Sequence, residues 1–167
     1  VFVPNIFPLS EEMLSDINTS SYLDFVAPEF LKSHSEVVAI YYISKLGYTT
    51  YYPNILLAET VPANFNPTEQ LFYTIAGPRN NPEHAPKWTE PYQDPAGEGL
   101  IVTLSIPIYS SVGTFKGVIA ADIQLSKIST FISDVKFGET GFSFLVDNSG
   151  HIIAMPTQGY SVFGLET

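Results

Sequence analysis

Residues 100–123 constrain the fold more than any other stretch of the chain. Leu100–Tyr109 is a run of branched and aliphatic side chains, Ser110-Ser-Val-Gly113 is a turn, and Phe115–Ile123 returns, so the segment reads as two paired strands. Successive side chains of a strand point to opposite faces of the sheet. Leu100, Val102, Leu104, Ile106 and Ile108 therefore share one face, and Thr103, Ser105 and Tyr109 share the other, which can line a polar pocket. Near the end of the second strand Asp122 sits between Ala121 and Ile123. An acid there must be paired if it is buried, with a ligand, with Lys116 or with a hydroxyl.

The flanking sequence supplies the remaining elements. Ser10-Glu-Glu opens a helical segment running to Ser33, in which Tyr22, Phe25, Val26 and Phe30 recur at helix spacing and Pro28 is expected to kink or divide the helix. Glu36–Ser44, a turn at Lys45-Leu-Gly47 and Tyr48–Tyr52 read as a β-hairpin. A short helix is expected from Thr68, as cap, to Ala76. Gly77–Pro86 is a loop rich in Pro and Asn, of the kind that often carries ligand contacts. A helix over Leu125–Val135 precedes a strand, turn and strand between Gly141 and Pro156. This order implies an antiparallel sheet with helices on one side, followed by the start of a similar unit.

Composition excludes several classes of function. Hydrophobic residues make up 45% of the 167 positions and charged residues 14%, enough apolar surface to fold and too little charge for a disordered tail. The net charge of −10, with only 7 Lys and Arg, argues against nucleic acid, which needs a basic face, and permits a cationic ligand. With no cysteine, disulfides, thiolate metal sites and cysteine catalysis are absent. His34, His84 and His151 lack a zinc-type spacing, and Asp147-Asn-Ser-Gly150 lacks the full calcium-loop pattern and suits a hairpin turn. No metal or other cofactor is therefore expected. The chain opens at Val1 rather than Met, so the expectation is a piece of a longer protein whose membrane anchor lies outside it.

The segment Trp88-Thr-Glu-Pro91-Tyr92-Gln-Asp94 joins an aromatic pair to a carboxylate in one turn. Together with Ser105-x-Pro107-Ile108-Tyr109, Gly117-Val-Ile-Ala-Ala-Asp122-Ile123 and the Gly138–Pro156 segment, it resembles the double Cache sensor domains of bacterial and archaeal signalling receptors. The resemblance spans roughly residues 20–160. It implies an α+β, PAS-like fold, an antiparallel sheet flanked by helices, with a membrane-distal ligand-binding module over residues 1–124. Residues 125–167 would then be a linking helix and the first strands of a membrane-proximal module.

In relatives that bind amino acids, an Arg-x-Trp-Tyr motif, a Tyr-x-Asp motif and a late Asp form the pocket. The positions corresponding to these are Gln70-Leu-Phe72-Tyr73, Tyr92-x-Asp94 and Asp122. The resemblance thus implies a site of Phe72, Tyr73, Trp88, Tyr92, Asp94 and Asp122, with Phe65, Gln70, Arg79 and Ser105 as further candidates. Gln70 departs from the pattern, because a neutral amide cannot form the bidentate fork that clamps a carboxylate. Asp94 and Asp122 can still accept charge-assisted hydrogen bonds from an amine, and the aromatic side chains can wall a cation.

The reading is a non-enzymatic, extracytoplasmic sensor input for a histidine kinase, diguanylate cyclase or chemoreceptor, homodimeric in the full-length receptor, with a small amine as ligand. The alternative is an amino-acid or small-carboxylate sensor using Arg79, the only Arg, as clamp. Less favoured are a carboxylate-based hydrolase using Asp94 and Asp122, since no nucleophile elbow or phosphate loop accompanies them, and an adhesion domain. Trp88 has a plain alternative role as the hydrophobe closing the sheet, and Arg79 as a solvated loop residue.

Overall fold

The computed structural model describes residues 1–165 and divides into two compact units, Val1–Ile123 and Gln124–Thr167. Glu166 and Thr167, the end of the expected second module, lie outside the described residues. In chain order the first unit holds α1 (Glu11–Ser20), α2 (Leu23–Ser33), β1 (Val37–Ser44), β2 (Thr49–Tyr52), α3 (Leu57–Thr60), a 3₁₀ turn (Pro67–Glu69) and α4 (Leu71–Thr74). It continues with β3 (Lys87–Trp88), β4 (Tyr92–Gln93), β5 (Leu100–Tyr109) and β6 (Phe115–Gln124).

The sheet order is β2-β1-β6-β5, with β3 and β4 both pairing along β5. The central β1–β6 pair is antiparallel and sets Tyr41 opposite Ala120 and Ala39 opposite Asp122. Strand alternation then decides what is buried. Ala39, Tyr41 and Ile43 of β1 and Val118, Ala120 and Asp122 of β6 all lie inside, as do Ile101, Thr103 and Ser105 of β5. Phe72 and Ala76 pack onto this face from α4 and the residues after it. Burial of each large apolar side chain is worth about 1.5–3 kcal/mol. Close strand approach depends on Gly117, where a Cβ would lie 2.1 Å from the Ile43 carbonyl oxygen.

Helices cover both faces rather than one. On the face opposite the core, Ser20 Oγ lies 2.9 Å from Thr50 Oγ1, and Asp16 of α1 accepts hydrogen bonds from Ser44 Oγ (2.7 Å) and Tyr48 OH (3.0 Å). Lys116 Nζ of β6 lies 3.2 Å from the same carboxylate. Ser10 caps α1 by accepting the Met13 N–H, with Glu11 and Glu12 in the first turn where the helix dipole favours acids.

Three local expectations differ from the structure. The break between α1 and α2 falls at Ser21–Tyr22, whereas α2 runs through Pro28. Its buried positions are Leu23 and Ala27, which leaves Tyr22, Phe25, Val26 and Phe30 exposed: only the narrow seam one turn apart reaches the sheet. Asn66, not Thr68, caps the turn that follows, because its Oδ1 accepts both the N–H and the hydroxyl of Thr68; Gln70 then restarts the chain as α4.

The second unit contains α5 (Leu125–Asp134), the pair β7 (Lys136–Phe137) and β8 (Gly141–Phe142), the pair β9 (Leu145–Val146) and β10 (Ile152–Ala154), and α6 (Thr157–Phe163). Phe142, Phe144 and Phe163 make a small aromatic cluster. Asp147 Oδ1 accepts the N–H groups of Ser149 and His151, so its carboxylate closes the β9–β10 turn.

Candidate functional site

A cavity of about 30 Å³ opens on the core face of the sheet. Strands supply Tyr41, Ile43, Thr49, Tyr51 and Asp122; the segment from α3 to α4 supplies Leu57, Val61, Phe65, Pro67 and Phe72; and the loop after β4 supplies Asp94, Pro95 and Ala96. Its walls are mainly aromatic and aliphatic, its charges are two carboxylates, and among the described residues no Lys, Arg or His lines it. One water needs roughly 10–15 Å³ of such space. The site as it stands therefore fits an ammonium-sized head.

Asp122 is the chemical centre. It is only 2% exposed, and its Oδ1 accepts hydrogen bonds from Tyr41 OH at 2.9 Å and Thr103 Oγ1 at 2.6 Å. Tyr92 OH stands 2.6 Å behind Thr103 Oγ1, so the hydroxyls form a chain from β4 through β5 to β6. Burial pushes the Asp122 carboxyl up to about 7; the Thr103 and Tyr41 hydrogen bonds oppose the rise, and the charges of Asp94 and Glu98 add to it. The Tyr41 ring is fixed by stacking on Tyr51 at 5.2 Å and by the edge of Phe72 at 5.7 Å.

Asp94 lies in the wall in a different state of engagement. Its Oδ1 accepts the Ala96 N–H (2.9 Å) and its Oδ2 the Glu98 N–H (3.1 Å), while its backbone N–H donates to the Gly99 carbonyl. The carboxylate thus shapes the 94–99 loop that carries Pro95 and Ala96 into the cavity. It contributes negative potential as well as structure.

Of the residues singled out in the sequence, Phe65, Phe72, Asp94 and Asp122 come together in the cavity wall. Tyr92 adjoins it through Thr103 and packs on Phe72 at 6.2 Å. Tyr73 instead packs edge-on against Phe115. Gln70 is spent on the Asn66 carbonyl, to which its Nε2 donates at 2.9 Å. Arg79 is exposed and outside the cavity wall. Ser105 is buried, and its Oγ has no hydrogen-bond partner among the described residues. Trp88 is 53% exposed and stands directly opposite Leu104. Directly paired residues share a face, so Trp88 lies on the sheet face away from Asp122.

Tyr41, Tyr51 and Thr103 are among the site residues that the sequence alone does not assign. Thr103 had a signal, its place on the polar side of β5. Tyr41 and Tyr51 belong to aromatic-rich strands where alternation gives the face but not the partner; only the β1–β6 register brings the Tyr41 hydroxyl to Asp122.

Among the described residues no group of three or more His, Cys, Asp or Glu could hold a metal ion. No helix among them is long and apolar enough to cross a membrane.

Comparison with known proteins accords with this architecture. A sequence profile of the Cache domain matches residues 5–160. The methyl-accepting chemotaxis protein McpC of Bacillus subtilis is 32% identical over 134 residues, covering 79% of this chain and 19% of the relative. The methyl-accepting chemotaxis protein PctB of Pseudomonas aeruginosa is 30% identical over 96 residues, covering 58% of this chain and 14% of the relative. The chain thus spans about a fifth or less of these relatives. Among solved structures, the ligand-binding domain of the Pseudomonas aeruginosa amino-acid chemoreceptor PctB in complex with L-Gln aligns with a TM-score of 0.60 at 26% identity, over 90% of this chain and 62% of that one. The sheet with its helices and the sequence match together identify the chain as a member of the Cache domain family.

Proposed function

We propose that this chain is the extracytoplasmic ligand-sensing part of a membrane-anchored receptor, of the chemoreceptor class to which its relatives belong, and that its ligand is a small amine. The first unit would be the membrane-distal module of a double Cache domain and the second the start of a membrane-proximal one. The full-length receptor would be a homodimer. One observation carries the ligand class: the cavity holds Asp94 and Asp122 against aromatic and aliphatic walls and contains no cationic side chain. An ammonium would find a carboxylate acceptor at Asp122 and the faces of Tyr41 and Phe72 beside it, interactions that strengthen on exclusion from water. A carboxylate would find no counter-charge.

A thermal-shift panel of alkylamines, α-amino acids and small carboxylates tests the reading. Amines are expected to raise the melting temperature, because a ligand at a hundredfold excess over Kd adds about 2.7 kcal/mol to stability. The shift should vanish in Asp122→Ala. A panel in which only carboxylates shift the transition, or an amine shift that survives Asp122→Ala, removes the proposal.

The amino-acid reading retains one specific support, the L-Gln bound by the similar PctB domain. It requires a cation outside the present wall, with Arg79 as the candidate. Binding of an α-amino acid that is lost in Arg79→Ala, with the corresponding amine inactive, would select it. The hydrolase reading has less to stand on, because both Asp94 oxygens already accept backbone N–H groups.

A further inference from the structure

We infer that the cavity takes up the positive charge of its ligand in exchange for a proton on Asp122, so that one carboxyl reads both the amine and the acidity of the medium. The inference rests on the amine reading above and concerns how that site is regulated.

Among the described residues, the groups that face Asp122 carry no counter-charge. From β1 it faces the Tyr41 hydroxyl, from β5 the Thr103 hydroxyl, and through Thr103 the Tyr92 hydroxyl of β4. From β2 the Tyr51 ring enters the same cavity; α3 contributes Leu57, the 3₁₀ turn Pro67 and α4 Phe72, none of which carries charge. The loop after β4 contributes the Asp94 carboxylate to the wall, and the field of Glu98 acts in the same direction. Among the described residues, the donors to Asp122 are neutral, and the charges of Asp94 and Glu98 that raise its carboxyl are negative.

A carboxylate taken out of water without a cation neutralises itself by holding a proton. The rise of the Asp122 carboxyl to about 7, with burial as its largest cause, accords with that placement. Asp16 shows the contrast against the same sheet: it is partly buried, Ser44 and Tyr48 donate to it, Lys116 stands 3.2 Å away, and its carboxyl is held below the ordinary carboxylate range. An ammonium entering the cavity would do for Asp122 what Lys116 does for Asp16. The exchange balances: the bound cation replaces the proton, which leaves to solvent, and the charge of the site is unchanged.

Calorimetric titration of the domain with isobutylammonium tests this, because that ammonium keeps its charge throughout the range used. With a carboxyl titrating near 7, Kd is expected to weaken about tenfold from pH 8 to pH 6. Heats measured in two buffers of different ionisation enthalpy should report release of nearly one proton per ligand at pH 6 and about a tenth of one at pH 8. A Kd constant within twofold over that range, with no buffer dependence, overturns the exchange while leaving the amine site standing. Failure of this and every other amine to bind at any pH brings down the amine reading and the exchange together. In Asp122→Asn, which keeps the shape and removes the titration, residual binding should be weaker at pH 8 and independent of pH. Retention of the wild-type pH profile in that variant assigns the proton elsewhere and defeats the inference.

Discussion

Two acids, Asp16 on helix α1 and Asp122 on strand β6, face the same sheet from opposite sides and have opposite fates. Asp16, on the helical side of the sheet, draws together Ser44, Tyr48 and Lys116; burial disfavours its charge, but the three hydrogen-bond donors and the Lys116 ammonium outweigh that cost and hold its carboxyl low. Asp122, on the core side, has two hydroxyls and no cation, and its carboxyl rises to about 7. Asp122 is also the more deeply buried of the two, so depth of burial and the lack of a cation act together to separate them. A cation in reach turns a buried carboxylate into a structural fastener; its absence leaves a site with affinity to spare for a cation from outside.

The largest expected effect separates the two acids by pH. Asp122 is raised in the fold above its unfolded value of 3.8, so its protonated form stabilises the native state. That stabilisation is complete below the unfolded value and is lost as pH rises through about 7, a total of about 4 kcal/mol at roughly 1.4 kcal/mol per unit. Asp16 has the reverse sign, its contribution being present above its unfolded value and lost as pH falls through the depressed one. Urea unfolding at several pH values should therefore show stability falling from about pH 5 to pH 8. In Asp122→Asn this decline should disappear, and the variant should be more stable than the wild type at pH 8. A decline unchanged in that variant breaks the comparison at its centre.

Gly117 holds both acids in register, since it lets β6 approach the Ile43 carbonyl beside the Asp16 cluster. Gly117→Ala is expected to cost about 3 kcal/mol in denaturant unfolding and to disturb the Asp16 bonds first. Asp16→Ala should cost less, about 2 kcal/mol, because Lys116 is one-third exposed and recovers some hydration while Ser44 and Tyr48 lose their acceptor. Amine affinity should survive Asp16→Ala within a few fold, as the cavity lies on the other face. The smallest effect belongs to Trp88→Ala, expected to change stability by no more than about 0.5 kcal/mol and to leave amine binding intact. A large loss of binding there would place the site on the wrong face of β5.

The alternation in residues 100–109 and the turn at Gly113 suffice to read β5 and β6, and Thr103 falls on the polar side by that reading alone. The site was legible to the extent that residue type announces chemistry: Asp122 stands out as an acid in an apolar strand, and Phe72 and Asp94 as motif positions. Trp88 was not, because being aromatic and near the motif says nothing of its parity relative to Leu104. Gln70 likewise shows its type in the sequence but not its engagement with the Asn66 carbonyl.

The sequence by itself determined the long strands β1, β5 and β6, the α1 cap, the absence of cysteine and the shortage of cations that accompanies an acidic pocket. These depend on local sterics and on composition, and neither needs a partner distant in the chain. Only the tertiary structure decided that Tyr41 meets Asp122 across 81 positions, that Lys116 serves Asp16 instead, and that Asp94 is bound by its own loop. Those outcomes follow from the register of β1 against β6, which core packing fixes as a whole. A shift of one residue there would turn Asp122 out of the core and away from the Tyr41 hydroxyl.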